Sequence, residues 1–478
     1  MRGARTAAVA GMALAALAAL PAPAAAHGIV GRSDLPIPAW LFAWAAAMVL
    51  VFSFVALAVL WPEPRLERER WRPLGGALGR PGLGRVAEPI CGGVGVLLLG
   101  LVVWSGLLGE QVPSTNLAPT LVYVIFWVGL VPLSVLFGDV FRLLNPWRAI
   151  ARAAAGLAGA VSRGPLPEPL PYPAWLGRWP AALGLVAFVW LELVAPDGDL
   201  PRVVALATLA YSALTFVAMA LYGIDPWLRR GEAFSVYFNL FSRLAPFEAR
   251  DGRLGVRRPL SGLAALEPLP GTVPLLAVMI GSVSFDGASE GSLWQGFVPA
   301  LQRFFEAFGL GAGATVQAVY GLGLIGCIVL AYAFYRLGVA GARTVARSFT
   351  SDRLALAFVH SLVPIALVYV AAHYVSLLVF QGQAVAFLAS DPLGRGWDLF
   401  GTAGQGIDYS LISATTFWYV QVLLVVCGHV VALTLAHDRA LVLFDGPRTA
   451  VRSQYWLLGV MIGFTTLALW LLAGANQG

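Results

Sequence analysis

Long apolar segments, separated by short polar loops, recur along almost the whole chain. Each is close to the ~20 apolar residues that an α-helix needs to cross the hydrocarbon core of a bilayer. The pattern predicts an all-α fold, namely a polytopic transmembrane helix bundle with about ten spans. The predicted spans cover residues 38–61, 90–108, 118–137, 180–196, 202–222, 272–284, 314–336, 354–380, 414–436 and 455–473.

The sixth span is shorter than the others and runs directly into polar residues. Its apolar part, VPLLAVMIGSVSF, is followed by Asp286 and, four residues later, by Glu290. Half-helices and re-entrant segments are tolerated at membrane depth where protein surrounds them. We therefore expect a half-helix or a re-entrant segment here. By contrast, the helical spacing of aromatic residues in EAFSVYFNLFSRLAPF (232–247) predicts a helix that lies in the membrane interface.

The first residues have the features of a secretory signal peptide. Two arginines precede an apolar core at residues 7–20, and an A-x-A cleavage site stands immediately before His27. We therefore predict a signal peptide at 1–26 and a single integral membrane domain at 27–478. Cleavage leaves His27 as the first residue of the mature chain; an uncleaved first helix is the alternative.

Charged residues are scarce in this chain. They make up 12% of it, against about 25% in an average soluble domain, so the composition excludes a soluble protein. The 31 basic residues are all arginine, which excludes a Schiff-base lysine and a phosphate-loop lysine. The three cysteines lie in or beside apolar runs and do not indicate a disulfide framework.

The arginines cluster in alternate loops between the predicted spans. Because cytoplasmic loops carry an excess of arginine and lysine, these loops are predicted to be cytoplasmic and both mature termini to lie outside. The net charge of +6 then reflects topology, and we expect a lipid bilayer and no nucleic acid as the partner. The arginine-bearing loops are 62–89, 138–179, 223–271, 337–353 and 437–454.

Histidines inside apolar spans are candidate ligands, because an ionisable side chain in lipid is costly and commonly functional. His360 and His429 lie on the inner halves of the eighth and ninth spans, and their depth predicts a pair. Such a pair binds a metal or, less favoured here, a single haem as axial ligands. The alternative is that each imidazole hydrogen-bonds a neighbour within the bundle. His437, at the end of its span, is expected to be solvated.

Candidate catalytic and metal-binding residues gather on the predicted outer side. Asp286 and Glu290 are candidates for orienting a water molecule, because carboxylates beside a divalent transition metal do so in metal-assisted hydrolysis. His27 and His373 are candidate metal ligands, with Glu192 in reserve. The carboxylates of the loop after the eighth span, Asp391, Asp398 and Asp408, are expected to be solvated.

Four segments carry a family resemblance. They resemble bacterial polytopic membrane proteins labelled fenitrothion hydrolase, which implies a multi-pass protein of the bacterial cytoplasmic membrane that hydrolyses a phosphotriester bond in a hydrophobic organophosphate. The resemblance assigns no catalytic residues. The segments are AHGIVGRSDLPIPAWLFAWAAAMVLVFSFVALAVLWPEPRL, FGDVFRLLNPWRA, AHYVSLLVFQGQ and SDPLGRGWDLFGTA.

Besides hydrolysis, other functional classes remain open, among them a purely structural subunit of a larger membrane complex. FGDVFRLLNPWRA and LYGIDPWLRRGEA both place a Pro-Trp pair just after a span, which is compatible with a duplicated two-helix unit of the kind found in transporters. With the short sixth span and the intramembrane Glu192 and His360, this favours a multi-pass transporter or a metal-handling permease. A haem-bearing electron carrier is the third class.

Overall fold

Helices form most of the structure, which is a computed structural model. The helical fraction is 73%, so the predicted helical class is confirmed in outline. His27 and the predicted signal peptide lie outside the described residues. The described residues are 39–67, 71–76, 83–162, 167–345 and 347–474.

All ten predicted spans are helical. Among the described residues, seven helices are long and apolar enough to cross a membrane, which fits a multi-pass membrane protein, while the count of ten spans stays a prediction. The long helices are α1 (Ala39–Leu60), α2 (Leu83–Leu108), α3 (Leu117–Phe137, with a π-helical centre), α6 (Trp179–Leu193), α7 (Pro201–Tyr222), α11 (Thr272–Ser289), α13 (Ala312–Val345), α14 (Ser351–Gln381), α16 (Ala414–Leu443) and α18 (Tyr455–Gly474).

Shorter elements connect the long helices. The sequence did not predict the small antiparallel sheet among them, whose strand order is β1-β3-β2. The end of the bundle that carries this sheet is called the sheet end below, and the opposite end the site end. The short elements are β1 (Trp71–Pro73), α4 (Val140–Leu144), α5 (Pro146–Val161), α8 (Ile224–Arg230), α9 (Ala233–Ser242), β2 (Phe247–Arg250), β3 (Arg253–Arg257), α10 (Ser261–Ala264), α12 (Ser292–Ala307), α15 (Ala384–Ser390) and α17 (Pro447–Ser453).

Helices α11 and α14 form the centre of the bundle. Each has 78% of its apolar window buried inside the protein, whereas the other candidate spans have between 28% and 44%. The prediction of a broken sixth span is wrong, because α11 is one continuous helix of 18 residues that extends past Asp286. Its polar residues do not interrupt it: the Ser284 hydroxyl donates to the Ile280 carbonyl, and Asp286 has partners on α14.

The short helix α9 is buried in the bundle. A helix in the membrane interface has a polar face exposed to water, so the interfacial prediction is also wrong. Its aromatic side chains contact rings of α3 on one side, where Tyr237 stacks on Trp127 with ring centroids 4.5 Å apart. Glu232 begins the helix by accepting hydrogen bonds from the Phe234 and Ser235 N–H groups. The sequence predicted an interfacial helix because spacing alone does not distinguish a half-buried face from aromatic packing on several sides.

Helices α6 and α11 run parallel with a matched register. At the sheet end, Arg178 Nη1 donates to Thr272 Oγ1 at 2.8 Å. Glu192 follows Arg178 by 14 residues, and Asp286 follows Thr272 by 14 residues (192 − 178 and 286 − 272). At 1.5 Å per residue, both carboxylates lie about 21 Å towards the site end. The register therefore brings them to the same depth.

The segment after α1 is held by Asp438 at the sheet end of α16. Its carboxylate accepts from Trp61 Nε1 at 2.9 Å and from the backbone N–H groups of Arg65 at 2.6 Å and Leu66 at 3.1 Å. His437 beside it is 1% exposed and donates to the Trp61 carbonyl at 3.1 Å. The expectation of a solvated histidine is wrong, because the chain folds back over this helix end.

We predict that Asp438→Asn lowers the free energy of unfolding by about 1–3 kcal/mol, because an amide group then faces a backbone donor that loses its acceptor. The measurement is the unfolding transition of the purified protein in detergent. Asp445→Asn is the matched control, since Asp445 is exposed in the neighbouring loop and its change should leave the transition unaltered. Equal transitions for the two variants would contradict the assignment.

Candidate functional site

Three side chains from the two central helices meet near the site end. Asp286 of α11 accepts two hydrogen bonds on one oxygen, Oδ2: His373 Nε2 donates at 2.8 Å and the Tyr374 hydroxyl at 2.7 Å. Asp286 is 8% exposed, His373 7% and Tyr374 2%. The carboxylate is therefore fixed by two consecutive residues of α14, inside the part of the bundle that is most buried.

Consecutive positions on a helix point about 100° apart, so two neighbours reach the same atom only when it lies between their directions. The rings of His373 and Tyr374 meet this condition, with centroids 4.6 Å apart and planes at 82°. Because Tyr374 supplies a second donor, rotation of the carboxylate away from His373 breaks two hydrogen bonds instead of one. The arrangement orients the imidazole through its Nε2 atom.

Glu192 and Tyr237 extend this arrangement towards α6 and α9. Glu192 interacts electrostatically with Asp286, and Tyr237 interacts with Glu192. Glu192 Oε2 and the Tyr237 hydroxyl are both buried and have no hydrogen-bond partner among the described residues. Together with the three residues above, they form what we call the polar cluster: Glu192, Tyr237, Asp286, His373 and Tyr374.

Gly287 lies beside the other edge of the imidazole. A methyl group added at Gly287 would stand 3.6 Å from both Cε1 and Nδ1 of His373, an ordinary van der Waals distance. The glycine therefore leaves the Nδ1 edge free of any side chain from its own position. Since Nε2 is engaged by Asp286, Nδ1 is the nitrogen that remains to take a proton or bind a ligand.

Three of the candidate residues predicted from the sequence lie together in the structure, namely Glu192, Asp286 and His373. Glu290 directly follows the last turn of α11, four residues after Asp286, and is exposed, so its catalytic role stays a prediction. Within the described part of the chain, no group of three or more His, Cys, Asp or Glu residues has the arrangement of a metal site. The nominated ligand His27 lies outside that part, so the metal stays a prediction.

His360 and His429 are not at the same depth. His360 lies in a 3₁₀ turn of α14 and is buried. His429 on α16 contacts the ring of Tyr369, which is nine residues further along α14 than His360 (369 − 360), and donates from Nδ1 to the Val425 carbonyl at 2.7 Å. The offset arises because α14 and α16 are antiparallel with a register that depth estimates from the sequence do not determine. The imidazoles therefore do not face each other as axial haem ligands would.

The carboxylates of the loop after α15 organise that loop. Asp398 accepts from the Ala403 N–H at 3.0 Å and from the Ser390 hydroxyl at 2.8 Å, and these hydrogen bonds hold its pKa below the usual range for Asp. Asp408 accepts from the Ser410 hydroxyl and N–H, which lowers its pKa in the same way. Since their hydrogen bonds stay within the loop and its neighbouring helix, these carboxylates are separate from the polar cluster.

The two tyrosines of the polar cluster were not predicted from the sequence. Tyr374 could have been recognised as a candidate from the sequence, because it directly follows a histidine inside an apolar span. Tyr237 could not have been recognised in this way, since it lies in the segment that was predicted to be interfacial. Its contribution depends on the burial of α9, which only the three-dimensional packing determines.

We predict opposite stability changes for the two carboxylates of the polar cluster. Asp286→Asn should lower the free energy of unfolding by about 1–3 kcal/mol, because a neutral amide oxygen replaces the charged acceptor of both hydrogen bonds. Glu192→Gln should raise it by on the order of 1 kcal/mol, because a neutral group of the same shape has neither the desolvation cost of a buried charge nor its repulsion with Asp286. Unfolding of purified variants in detergent measures both, and a fall of similar size in each would contradict the arrangement.

Comparisons with known proteins give this chain no function. No family model, no curated protein and no solved structure matches it. The resemblance to proteins labelled fenitrothion hydrolase therefore stays a prediction from the four quoted segments. What the chain does has to be argued from the geometry of the polar cluster.

Proposed function

We propose that this protein is a membrane-embedded hydrolase that cleaves the phosphotriester bond of a hydrophobic organophosphate. The observation that carries the proposal is the hydrogen bond between His373 Nε2 and Asp286 Oδ2. A general base held by a carboxylate is a recurring arrangement for activating a weak nucleophile such as water. The family resemblance of the sequence supports the same reaction class.

In the proposed reaction His373 acts as the base through Nδ1. A water molecule gives a proton to Nδ1, and its oxygen forms a new bond to phosphorus. The bond from phosphorus to the aryloxy oxygen breaks, and the proton passes from the imidazolium to the leaving aryloxide. Asp286 stabilises the transient imidazolium, and Tyr374 holds Asp286 in position. Glu290, being exposed, has no part in these steps.

The base chemistry of Asp286 and His373 needs no metal. A divalent transition metal held by His27 and His373 is the alternative proposal for polarising the phosphoryl oxygen. It would occupy Nδ1 of His373 in place of the base role, because Nε2 is engaged by Asp286. For the surroundings of the site we propose the cytoplasmic membrane of a bacterium, with both mature termini and the site end outside. The basis is the distribution of arginines between loops.

We predict that the purified protein in lipid nanodiscs releases the nitrophenol of fenitrothion, measured by its absorbance. Asp286→Asn and His373→Gln should each lower kcat/KM by about 10²–10⁴-fold, the usual contribution of a general base. Glu290→Gln is the control and should retain wild-type turnover. Absence of turnover by the wild-type protein, with or without added divalent metal, would overturn the proposal.

Two substitutions of Gly287 test the role of Nδ1 in the same turnover assay. Gly287→Ala places a methyl group at van der Waals distance from the imidazole and should be tolerated. Gly287→Val covers the Nδ1 edge and should abolish turnover while leaving the protein folded. Equal activity in the two variants would show that Nδ1 is not the working nitrogen.

A proton-coupled transporter is a second candidate, and Glu192 favours it. Its carboxyl group is buried, with one oxygen that has no partner among the described residues, beside a second carboxylate. Two negative charges so close in a low-dielectric interior are costly, so the pair is suited to binding and releasing a proton. Ionisable groups of this kind mark proton pathways in transporters.

If transport is the function, the protein should carry protons into sealed proteoliposomes when valinomycin and a potassium gradient make their interior electrically negative. A pH-sensitive dye inside the liposomes measures the resulting acidification. Glu192→Gln should abolish the part of the acidification that depends on the protein, because an amide group cannot bind and release the proton as a carboxyl group does. Wild-type fluxes no greater than those of protein-free liposomes, together with organophosphate turnover, would exclude transport in favour of hydrolysis.

A further inference from the structure

An apolar cavity of about 880 Å³ lies between α2, α3, α6 and α7, and no residue of the polar cluster lines it. Side chains of α9 and of the start of α5 close its inner wall. Phe126, Trp147 and Phe234 form much of this wall, with ring contacts among them. The cavity is therefore bounded by aromatic packing on its inner side.

The opposite side of the cavity opens between the helices onto the outer surface of the bundle. Leu183 of α6 is 65% exposed and Leu214 of α7 is 71% exposed, and both line the cavity. Both residues lie within apolar helices, at the depth where hydrocarbon surrounds a membrane protein. An occupant therefore reaches the cavity from the bilayer.

The polar groups in the middle of the wall already have partners within the protein. Thr208 donates to the Val204 carbonyl at 2.8 Å, and Trp147 Nε1 donates to the Ser212 hydroxyl at 2.8 Å. The Tyr211 hydroxyl donates to Glu232. Because none of these donors requires an external acceptor, the middle of the wall favours an apolar occupant. Among the described lining residues, Trp227 Nε1 on α8 is a buried donor without a partner, and it lies at one end of the cavity.

The length of the cavity indicates what that occupant is. On α7 the lining runs from Val204 to Tyr222, which corresponds to about 27 Å of helix. This is close to the ~30 Å thickness of the hydrocarbon core of a bilayer. A compact aromatic molecule would fill a small part of such a length, whereas the acyl chain of a phospholipid, which extends across one leaflet or about half of the hydrocarbon core, occupies a much longer part of it.

We propose that the cavity binds an acyl chain of a bilayer phospholipid as a fixed structural ligand between α2, α6 and α7. This inference does not rest on the proposed hydrolase function, because it involves no residue of the polar cluster. Bound lipid replaces the helix–helix contacts that these helices lack on this side, where dispersion contacts are the main attraction between helices.

The test fills the cavity and measures the lipid that stays with the protein. In Ala207→Phe/Ala218→Phe, two lining alanines of α7 acquire rings that occupy the cavity. Ala213→Phe is the matched control, because Ala213 lies on the same helix, is exposed and does not line the cavity. Protein purified from phospholipid nanodiscs into detergent is examined by native mass spectrometry.

Wild type and Ala213→Phe should each carry bound phospholipid, and the double variant should lose it. A wild-type protein without phospholipid, or equal retention by the double variant and Ala213→Phe, would overturn the inference. If the double variant fails to elute as a monodisperse species, Ala207→Phe alone gives the same comparison. Because the readout is bound mass and not turnover, its failure is distinguishable from failure of the hydrolase proposal.

Discussion

The hydrogen bond between Asp286 and His373 joins the two helices around which the other spans are arranged. Helices α11 and α14 are far more buried than the other candidate spans, so water cannot satisfy their polar groups. A carboxylate at this position has to find its donors on a neighbouring helix, and the consecutive His373 and Tyr374 provide both. The contact therefore fixes the rotation and the depth of one central helix relative to the other.

The same constraint explains the other buried carboxylates and makes Glu192 unusual. Asp438 accepts three donors from the segment after α1, and Glu232 accepts two backbone N–H groups at the start of α9. Both have structural roles that account for their burial. Glu192 has an oxygen without a partner among the described residues, and no structural role of this kind accounts for it. An incompletely satisfied carboxyl group beside Asp286 is a reason to assign function to this part of the bundle.

Much of the architecture could be predicted from the sequence, because the length of an apolar run and the cost of a charge in lipid are local properties. The same reasoning found Glu192, Asp286 and His373. Registers between helices could not be predicted in this way, so the expected pairing of His360 with His429 failed. The prediction of a helix break near Asp286 was wrong for a related reason. Polar residues end a helix only when the packing around them offers no hydrogen-bond partners.

Elements that depend on tertiary packing were also missed. The aromatic spacing of α9 is the same for an interfacial helix and for a buried one, and the contacts with Trp127 decide between them. The strands of the small sheet are too short to give a clear period-2 signal, and β1 is separated from β2 by more than 170 residues (247 − 73). The apolar cavity likewise results from how four helices diverge, which no single segment encodes.

The most direct test of this account is a double-mutant cycle on Asp286→Asn and His373→Gln. Free energies of unfolding are measured for both single variants and the double variant in mixed micelles, under conditions where unfolding is reversible. Side chains that share a hydrogen bond should give a coupling energy of about 0.5–3 kcal/mol. Effects that add within about 0.3–0.5 kcal/mol would mean that the two residues do not touch, and would contradict the account.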